Sequence, residues 1–280
     1  MVRLAQGLRA RFSLVHLTDP HIPGEDQARV RGVDTAARLA GVVESINRLW
    51  PAPAFVIITG DFSADGSPAA HRRAAALLRA LRVPVRVTLG NHDDPETFRQ
   101  VMGELGDLLG TETCQAFDVQ GWRILLLNSK CPGLKEGFLG PVQRQQMREE
   151  LAKNPRPPAL LFMHHHVLPL GLPWVDRDNL RDWYEFLEIL RDVGNVRGLF
   201  SGHAHQASRH EWSGIPFFVT PSAGYQFFKD PTQARVSPEP PAYRLIAIQG
   251  GMFVTEVRPV GSPEEEPTTD PPSPSPRPGG

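Results

Sequence analysis

The segment FSLVHLTDPH, residues 12–21, decides the fold of this chain. Its first six residues form a short apolar run, too short for a helix, that is typical of a buried β-strand. Asp19 and His21 follow the run directly, and both side chains can bind a metal. A buried strand that ends in metal-ligand residues indicates an α/β fold with its functional site at the strand ends.

Four further apolar runs repeat this pattern along the chain. They span residues 55–58, 85–89, 160–163 and 199–200, and the ligand residues that follow them are Asp61, Asn91, His92, His164, His203 and His205. In open α/β sheets the ends of the strands meet in one crevice, so residues far apart in sequence are expected to converge there.

The residue types indicate which metals would bind. Carboxylate, carboxamide and imidazole groups without a thiolate favour Mn, Fe, Zn or Co over a cysteine-rich structural zinc site. The two cysteines, Cys114 and Cys131, lie outside all five clusters and are expected to be bystanders. Asp61 is the candidate bridge, because the two oxygens of one carboxylate can hold two ions at ~3.5 to 4 Å, a spacing that suits phosphoryl transfer.

Each cluster taken alone has an ordinary explanation. A single histidine after a strand is usually structural, and Gly-Asp is a common turn. The ordered set of five clusters favours a metal site over coincidence. His16, His71 and His210 have no neighbour at ligand spacing, so we expect them to be structural.

The ordered motifs resemble those of the calcineurin-like metallophosphoesterase superfamily. They are Asp19-x-His21, Gly60-Asp61, Gly90-Asn91-His92-Asp93, His164 and Gly202-His203-Ala204-His205. Segments outside the metal motifs, among them 32–35, 164–169 and 220–222, narrow the resemblance to bacterial class III 3′,5′-cyclic AMP phosphodiesterases. The resemblance implies a four-layer α/β/β/α sandwich of two mixed sheets flanked by helices.

The resemblance also implies a role for each matched residue. The first metal would be held by Asp19, His21 and His205, with Asp61 as the bridge. The second metal would be held by Asn91, His164 and His203. His92 would be the catalytic residue, as a phosphate contact or a proton donor to the leaving oxygen, and an imidazole can donate a proton near neutral pH.

The expected cofactor is a pair of divalent or trivalent transition-metal ions, Fe, Mn or Zn. A hydroxide that bridges them would attack a phosphodiester in line, converting 3′,5′-cyclic AMP to 5′-AMP without a covalent intermediate. An alternative is a broad-specificity phosphodiesterase or phosphomonoesterase that acts on glycerophosphodiesters or other small phosphate esters. A non-catalytic metal-binding scaffold is disfavoured, because every matched ligand is present.

Two segments are candidate walls of a substrate pocket, 167–179 and 222–241. An adenine ring is expected to stack on Trp174, Tyr225 or Phe227, although plain packing of these side chains fits the sequence equally well. His165 is a candidate substrate contact or a residue that supports a metal ligand.

Composition favours one catalytic domain. The chain has 280 residues, 40% of them hydrophobic, and a formal net charge of -1, which is enough for one sizeable core. No apolar run approaches the roughly 18 residues of a membrane span, and no basic block with interleaved aromatics indicates nucleic-acid binding. We expect a cytoplasmic enzyme for a small phosphodiester without a secretory signal, and a homodimer is left open.

The expected organisation is an N-terminal extension, 1–10, a metallophosphoesterase domain, 11–258, and a disordered Pro/Glu-rich tail, 259–280. Helical spacing is present in 34–50, 69–81, 143–152 and 180–193. Further strands are predicted at 117–119, 122–127, 217–220, 243–248 and 252–257, the last two joined by a hairpin turn.

Overall fold

The computed structural model describes residues 11–102 and 114–261. The strands are β1 Phe12–Leu17, β2 Val56–Thr59, β3 Val85–Thr88, β4 Cys114–Val119, β5 Trp122–Leu127, β6 Ala159–Phe162, β7 Val196–Ser201, β8 Ser208–Trp212, β9 Ile215–Val219, β10 Ala242–Gln249 and β11 Met252–Pro259. The helices are α1 Thr35–Asn47, α2 Pro68–Leu78, α3 Pro95–Met102, α4 Gly140–Lys153, α5 Pro173–Asp176 and α6 Trp183–Val193.

The strands form two mixed sheets. The five-stranded sheet has the order β11-β10-β1-β2-β3, and the six-stranded sheet has the order β4-β5-β6-β7-β9-β8. Strands β1, β2 and β3 are mutually parallel, as are β6 and β7. The carboxyl ends of these five strands therefore carry the loops that the sequence marked as ligand clusters.

Side chains alternate between the two faces of each sheet, as the two-residue period of a strand requires. Leu14 on β1 joins a core cluster between the sheets that also contains Phe162 and Phe200. Val15 on the same strand joins a second cluster with helix residues such as Leu39. A third cluster packs α4 and α6 against the six-stranded sheet. The predicted sandwich of two mixed sheets with flanking helices is confirmed.

Local sequence signals fix where two of the helices begin. The side chain of Asp34 accepts the N–H of Ala37 at 2.9 Å at the start of α1. Ser67 does the same for Ala70 at 3.2 Å at the start of α2, and Pro68 occupies the first turn. Such residues satisfy N–H groups that have no partner inside the helix.

Several boundaries differ from the sequence prediction. Helix α6 begins at Trp183 and not at residue 180, because Leu180 instead forms a β-bridge with Gly137. Strand β7 is longer than the predicted 199–200. Strand β8 was missed, since it is an edge strand whose polar sequence SRHEW alternates toward solvent. Helices α3 and α5 are short and were also missed.

The predicted extension, 1–10, lies outside the described residues, and so does most of the predicted tail, from 262 onward. Strand β11 continues to Pro259, and the N–H of Val260 donates to the carbonyl of Pro241 at 2.8 Å. Across residues 11–102 and 114–261, no helix has the length and hydropathy needed to cross a membrane.

Candidate metal centre

The candidate ligands lie directly after the carboxyl ends of strands in both sheets. Asp19 and His21 follow β1, Asp61 follows β2, and Asn91 follows β3 in the five-stranded sheet. From the six-stranded sheet, His164 follows β6, and His203 and His205 follow β7. All seven predicted metal residues meet where the two sheets face each other.

The backbone at this place is strained. Five of the seven predicted ligands have left-handed φ angles, an unusual state for residues other than glycine: Asp19 (55°), His21 (46°), Asp61 (53°), His203 (68°) and His205 (51°). Such strain concentrates at functional sites, where surrounding contacts hold it. Here two of those contacts link neighbouring loops, from Asp19 N–H to the Gly60 carbonyl at 3.1 Å and from His21 N–H to the Asp61 carbonyl at 2.9 Å.

Two positions in the motifs require glycine, because side chains of neighbouring loops lie too close for a Cβ atom. A Cβ at Gly90 would lie 2.2 Å from Oδ1 of Asp61, and a Cβ at Gly202 would lie 2.0 Å from Oγ1 of Thr18. Neither space accepts a side chain. These glycines allow the ligand loops to pack against each other.

The first group of candidate ligands contains Asp19, His21 and His205. Nε2 of His21 lies 3.0 Å from Nε2 of His205, and Oδ1 of Asp19 lies 3.3 Å from the same His205 atom. This Oδ1 is buried and has no hydrogen-bond partner. A buried carboxylate oxygen among imidazole nitrogens is the arrangement that a metal ion completes.

The second group contains Asn91, His164 and His203. Oδ1 of Asn91 lies 3.0 Å from Nε2 of His164 and 3.0 Å from Nδ1 of His203. The two imidazole nitrogens are 3.2 Å apart. Three possible ligand atoms therefore surround one point.

Asp61 lies between the two groups. Its Oδ2 is 3.4 Å from Nε2 of His21 in the first group and 3.5 Å from Nε2 of His164 in the second. Its Oδ1 accepts the backbone N–H of His92 at 2.8 Å. Asp61 would be the residue shared by ions in both groups, so its role as the bridge stays a prediction.

Hydrogen bonds on the far side of two rings set which nitrogen faces the site. Nδ1 of His164 lies 2.7 Å from the carbonyl of Thr59, and Nδ1 of His205 lies 2.7 Å from the carbonyl of Tyr225. A carbonyl can only accept, so each Nδ1 carries the proton and each Nε2 presents a lone pair to the site.

Burial shifts the pKa values of several residues in the site, in directions that favour the binding of cations. It lowers the pKa of His21 and His203 well below the usual histidine value, which keeps both rings neutral as metal ligands must be. Burial raises the pKa of Asp61, and the nearby carboxylates of Asp19 and Asp93 act in the same direction. The donor set fits divalent metal ions, because they would relieve this unfavourable burial of carboxylates.

His92 stands at the edge of the cluster and is exposed. Its Nδ1 lies 2.9 Å from the carbonyl of Ala64 and so carries the proton. Its ring packs edge-on against His21 with centroids 4.8 Å apart. Nε2 is left for a ligand in the open space above the site, as expected for a substrate contact.

A cavity of about 590 Å³ opens directly over the cluster. Its floor includes His21, Asp61 and His203, and its wall includes Trp174 and Tyr225. The Tyr225 ring packs on the rings of His21 and His205, with centroids 5.4 and 4.7 Å away. Burial raises the pKa of its hydroxyl to about 12. All three predicted aromatic residues, Trp174, Tyr225 and Phe227, therefore line the cavity.

His165 does not line this cavity. It is fully buried, with Nδ1 2.8 Å from Oγ of Ser129 and Nε2 2.9 Å from the carbonyl of Lys135. The carbonyl requires a proton on Nε2, so Nδ1 accepts from the serine. Both ring nitrogens of His165 are therefore bonded to protein groups, and its ring packs against His164 and His203, which fits a residue that supports the ligands.

Two important residues were missed or given no role by the sequence analysis. Asp93, part of the quoted Gly-Asn-His-Asp motif, accepts the N–H groups of Asp61 and Gly90 at 2.8 and 2.9 Å. Ser222 donates its hydroxyl to the carbonyl of Asp19 at 2.7 Å. A lone serine in a loop carries no sequence signal for this contact.

The two cysteines expected to be bystanders and the three histidines expected to be structural are not among the side chains that could hold a metal together in the described part of the chain. Cys114 and Cys131 are free cysteines. His71 packs beside Asp93 behind the cluster, and His210 lies on the edge strand β8. His16 is fully buried on β1 and hydrogen-bonds to two threonines.

Comparisons with known proteins agree with this geometry. The chain is 33% identical over 239 residues to the 3′,5′-cyclic adenosine monophosphate phosphodiesterase CpdA of Pseudomonas aeruginosa, covering 85% of this chain and 86% of the relative. It is 31% identical over 249 residues to the CpdA of Haemophilus influenzae, covering 88% and 89%.

A solved structure shares the fold. A dimetal phosphatase from Danio rerio superimposes with a TM-score of 0.68 at 16% sequence identity, covering 90% of this chain and 97% of that one.

The family model described as calcineurin-like phosphoesterase matches residues 12–207, which contain every ligand loop described above. This match and the relatives confirm that the chain is a hydrolytic phosphoesterase of a family that uses divalent metals. The chain belongs to the calcineurin-like phosphoesterase family.

Proposed function

We propose that this enzyme is a dinuclear metal-dependent phosphodiesterase that hydrolyses 3′,5′-cyclic AMP to 5′-AMP. The observation that carries the proposal is one cavity with the candidate ligands as its floor and aromatic rings in its wall. Such a cavity suits a ligand with a phosphodiester at one end and a flat base at the other. The relatives named as cyclic AMP phosphodiesterases support the choice of substrate.

In this proposal two metal ions occupy the two groups of ligands. The ligands of the first ion are Asp19, His21 and His205, those of the second are Asn91, His164 and His203, and Asp61 is shared. When bound, the two ions supply a water of lowered pKa and a clamp on the phosphate oxygens.

The protein's own residues arrange the reaction around this chemistry. The carbonyls of Thr59 and Tyr225 hold two ligand imidazoles in the binding tautomer. The N–H of His92 donates to Oδ1 of Asp61 and orients this carboxylate, which would be shared by the two ions. The ligand geometry is thus set before substrate arrives, which lowers the cost of organising the site.

His92 is the proton donor in this proposal. The Ala64 carbonyl fixes the proton of Nδ1 and leaves Nε2 toward the cavity. When Nε2 is protonated, it can donate to the ribose 3′-oxygen as the bond to phosphorus breaks. The product keeps its phosphate on the 5′-oxygen.

The base has an aromatic site near the entrance. Trp174 packs edge-on against Phe227 with centroids 5.2 Å apart, and its indole N–H donates to the carbonyl of Asp230 at 2.7 Å. These contacts hold the indole in place in the wall of the cavity. A fixed aromatic face is a suitable platform for adenine.

The competing proposal is a broad-specificity esterase for glycerophosphodiesters or other small phosphate esters. The cations Arg31, Lys135 and Arg177 in the cavity lining favour anionic substrates in general, so they are compatible with it. The aromatic wall favours a nucleotide over glycerol esters.

The remaining expectations belong to the same proposal. The catalytic domain would comprise the predicted residues 11–258, and the end of β11 with the backbone hydrogen bond of Val260 would extend it by two residues. The enzyme would act in the cytoplasm on a small diffusible substrate, with a homodimer as the assembly to be tested by light scattering.

The proposal is tested by incubating the Mn-reconstituted full chain with 3′,5′-cyclic AMP and separating the products. We expect 5′-AMP, loss of the reaction after chelation and recovery on adding Mn²⁺. Asn91→Ala is the matched variant that should fail to recover. Formation of 3′-AMP, or no cleavage at any metal concentration, would contradict the proposal.

A further inference from the structure

A chain of buried hydrogen bonds begins at the metal site and runs away from it. Oγ1 of Thr18 donates to Oδ2 of Asp19 at 2.6 Å. The carbonyl of Thr59 is a second acceptor within reach, at 3.1 Å, but the ionised carboxylate is the nearer and stronger one. The single proton of the Thr18 hydroxyl is thus committed to Asp19.

The direction of the Thr18 hydrogen bond determines the proton positions on Thr59 and His16. Since the Thr18 proton is used, Oγ1 of Thr18 accepts the hydroxyl proton of Thr59 at 3.0 Å. Thr59 must then accept from Nε2 of His16, which lies 2.8 Å away. His16 therefore carries its proton on Nε2.

The far nitrogen of His16 continues the chain. Burial lowers the pKa of His16 to about 3, so the ring is neutral and its Nδ1 has a lone pair. That lone pair accepts the hydroxyl proton of Thr220 at 2.7 Å. Oγ1 of Thr220 in turn accepts Nε–H of Arg244 at 3.1 Å.

Every hydrogen bond in this chain points the same way, from a guanidinium cation to a carboxylate. We call it the Arg244 chain; in order, its members are Arg244, Thr220, His16, Thr59, Thr18 and Asp19. The first member is 5% exposed and the others are fully buried. Aligned hydrogen bonds in a buried setting polarise and strengthen each other.

The two sheets build this chain together. His16 on β1 and Arg244 on β10 are paired across the antiparallel ladder, and Thr220 follows β9 of the other sheet. Within residues 11–102 and 114–261, Arg244 forms no ion pair with a carboxylate. The guanidinium instead donates to the carbonyl of Val219 at 2.9 Å and to the hydroxyl of Thr220, and it lies over the Phe218 ring. A buried cation without a carboxylate partner is costly, so these contacts need an explanation.

The consequence at the metal site concerns which oxygen of Asp19 is free. Oδ2 is occupied by the Thr18 hydroxyl and by the backbone N–H of His203 at 2.9 Å. Oδ1 has no partner and faces His205 at 3.3 Å. The carboxylate is therefore held with one oxygen engaged and the other presented to the ligand group.

We propose that Arg244 and Thr220 are positioning residues for the first metal site, which act on Asp19 through the Arg244 chain. This inference rests on the proposed metal site and adds to it a support that reaches across both sheets. Residues that orient a metal ligand typically contribute tenfold to a hundredfold to metal affinity.

The test measures Mn²⁺ binding to the chelator-treated full chain by isothermal titration calorimetry. Thr220→Val keeps the volume and the net charge but cannot carry the hydrogen bond. We expect about tenfold or greater weakening of one of two Mn²⁺ sites. Thr220→Ser restores the hydroxyl and should recover most of the affinity.

A matched control is Thr255→Val, on the neighbouring strand β11. Its hydroxyl donates to the carbonyl of Leu245 at 2.9 Å, outside the Arg244 chain. This variant should bind Mn²⁺ as the wild type does. Equal affinity in Thr220→Val and the wild type, or the same loss in both valine variants, would overturn the inference.

A second variant, Thr59→Val, tests the chain independently of Thr220→Val and should weaken the same Mn²⁺ site about tenfold or more. Thr59→Val breaks the same chain in the middle, and circular dichroism and thermal melts check that it folds. Because both changes interrupt one chain, the double variant should lose little more affinity than either single variant. Fully additive losses would contradict a shared chain, whereas a wild type that binds no Mn²⁺ would contradict the proposed function itself.

Discussion

The carboxylate of Asp93 accepts the backbone N–H of Asp61 at 2.8 Å. The same oxygen accepts the N–H of Gly90 at 2.9 Å. One buried side chain thus joins the loop of the bridging carboxylate to the loop that carries Asn91. Its other oxygen lies 3.3 Å from Nε2 of His71.

His71 gives this junction a pH dependence. Burial tends to lower the pKa of His71, but the neighbouring carboxylate of Asp93 outweighs this effect and raises the pKa. A histidine whose pKa is higher in the folded state than in the unfolded state stabilises the protein. This stabilisation is fully present at pH values below the ordinary histidine pKa near 6.5. That contribution is lost as the pH rises through the folded-state pKa. The Tm of the chelator-treated wild type should therefore decline with pH over this range more than that of His71→Gln.

His210→Gln is the control for this pH dependence, since His210 lies on the edge strand β8 away from Asp93. It should keep the wild-type slope of Tm against pH. If His71→Gln and His210→Gln give the same slope, the charged His71–Asp93 pair is not what stabilises the junction.

Asn91 is the only neutral oxygen ligand in the proposed set, and its amide lies 3.0 Å from both His164 and His203. Asn91→Ala removes it without changing charge. We expect kcat with Mn²⁺ to fall by about a hundredfold or more, with metal content reduced toward one ion per chain. Asn154→Ala, at the end of α4, should be near wild type. Full activity in Asn91→Ala would remove Asn91 from the metal site.

Two substrates with different leaving groups distinguish whether His92 donates a proton or binds the phosphate. His92→Gln should lower kcat for cyclic AMP by about 10²-fold or more, because an alkoxide leaves poorly without a proton. An aryl diester has a good leaving group and should lose much less. An equal loss for both substrates would indicate a phosphate contact and no proton transfer.

Gly202→Ala tests the close packing of the ligand loops. The added Cβ would lie 2.0 Å from Oγ1 of Thr18 and 2.4 Å from Oδ2 of Asp19. We expect about 1–3 kcal/mol of destabilisation in urea melts, and weaker Mn²⁺ binding. Gly251→Ala meets no atom within 4 Å and should be nearly neutral. Similar stabilities for the two variants would contradict the packing described here.

The sequence predicted the ligand loops well because their signals are local. Each loop combines an apolar run with ligand residues directly after it, as in Leu17 to Asp19, and parallel strands bring such ends together. The ordered motifs also indicated the sandwich of two sheets, which the structure confirms.

The contacts that support the ligands could not be predicted in the same way. The sequence leaves His165 open between a substrate contact and a support for a metal ligand, and only the structure shows its ring bonded to Ser129 and to the Lys135 carbonyl. Thr220 and Arg244 lie more than 200 residues from Asp19 in sequence. Arg244 has the pattern of an ordinary strand residue and Thr220 directly follows β9. Their connection to the site is revealed only by the pairing of β1 with β10 and by the hydrogen bond of Thr220 to His16.

The most direct test of the proposed function is the kcat/KM of the Mn-reconstituted full chain for 3′,5′-cyclic AMP, measured beside that for a generic aryl phosphodiester. Cyclic AMP should be the preferred substrate, and Trp174→Ala, in the cavity wall, should lower this preference. Cleavage of the aryl diester with no measurable turnover of cyclic AMP would contradict the cyclic nucleotide assignment.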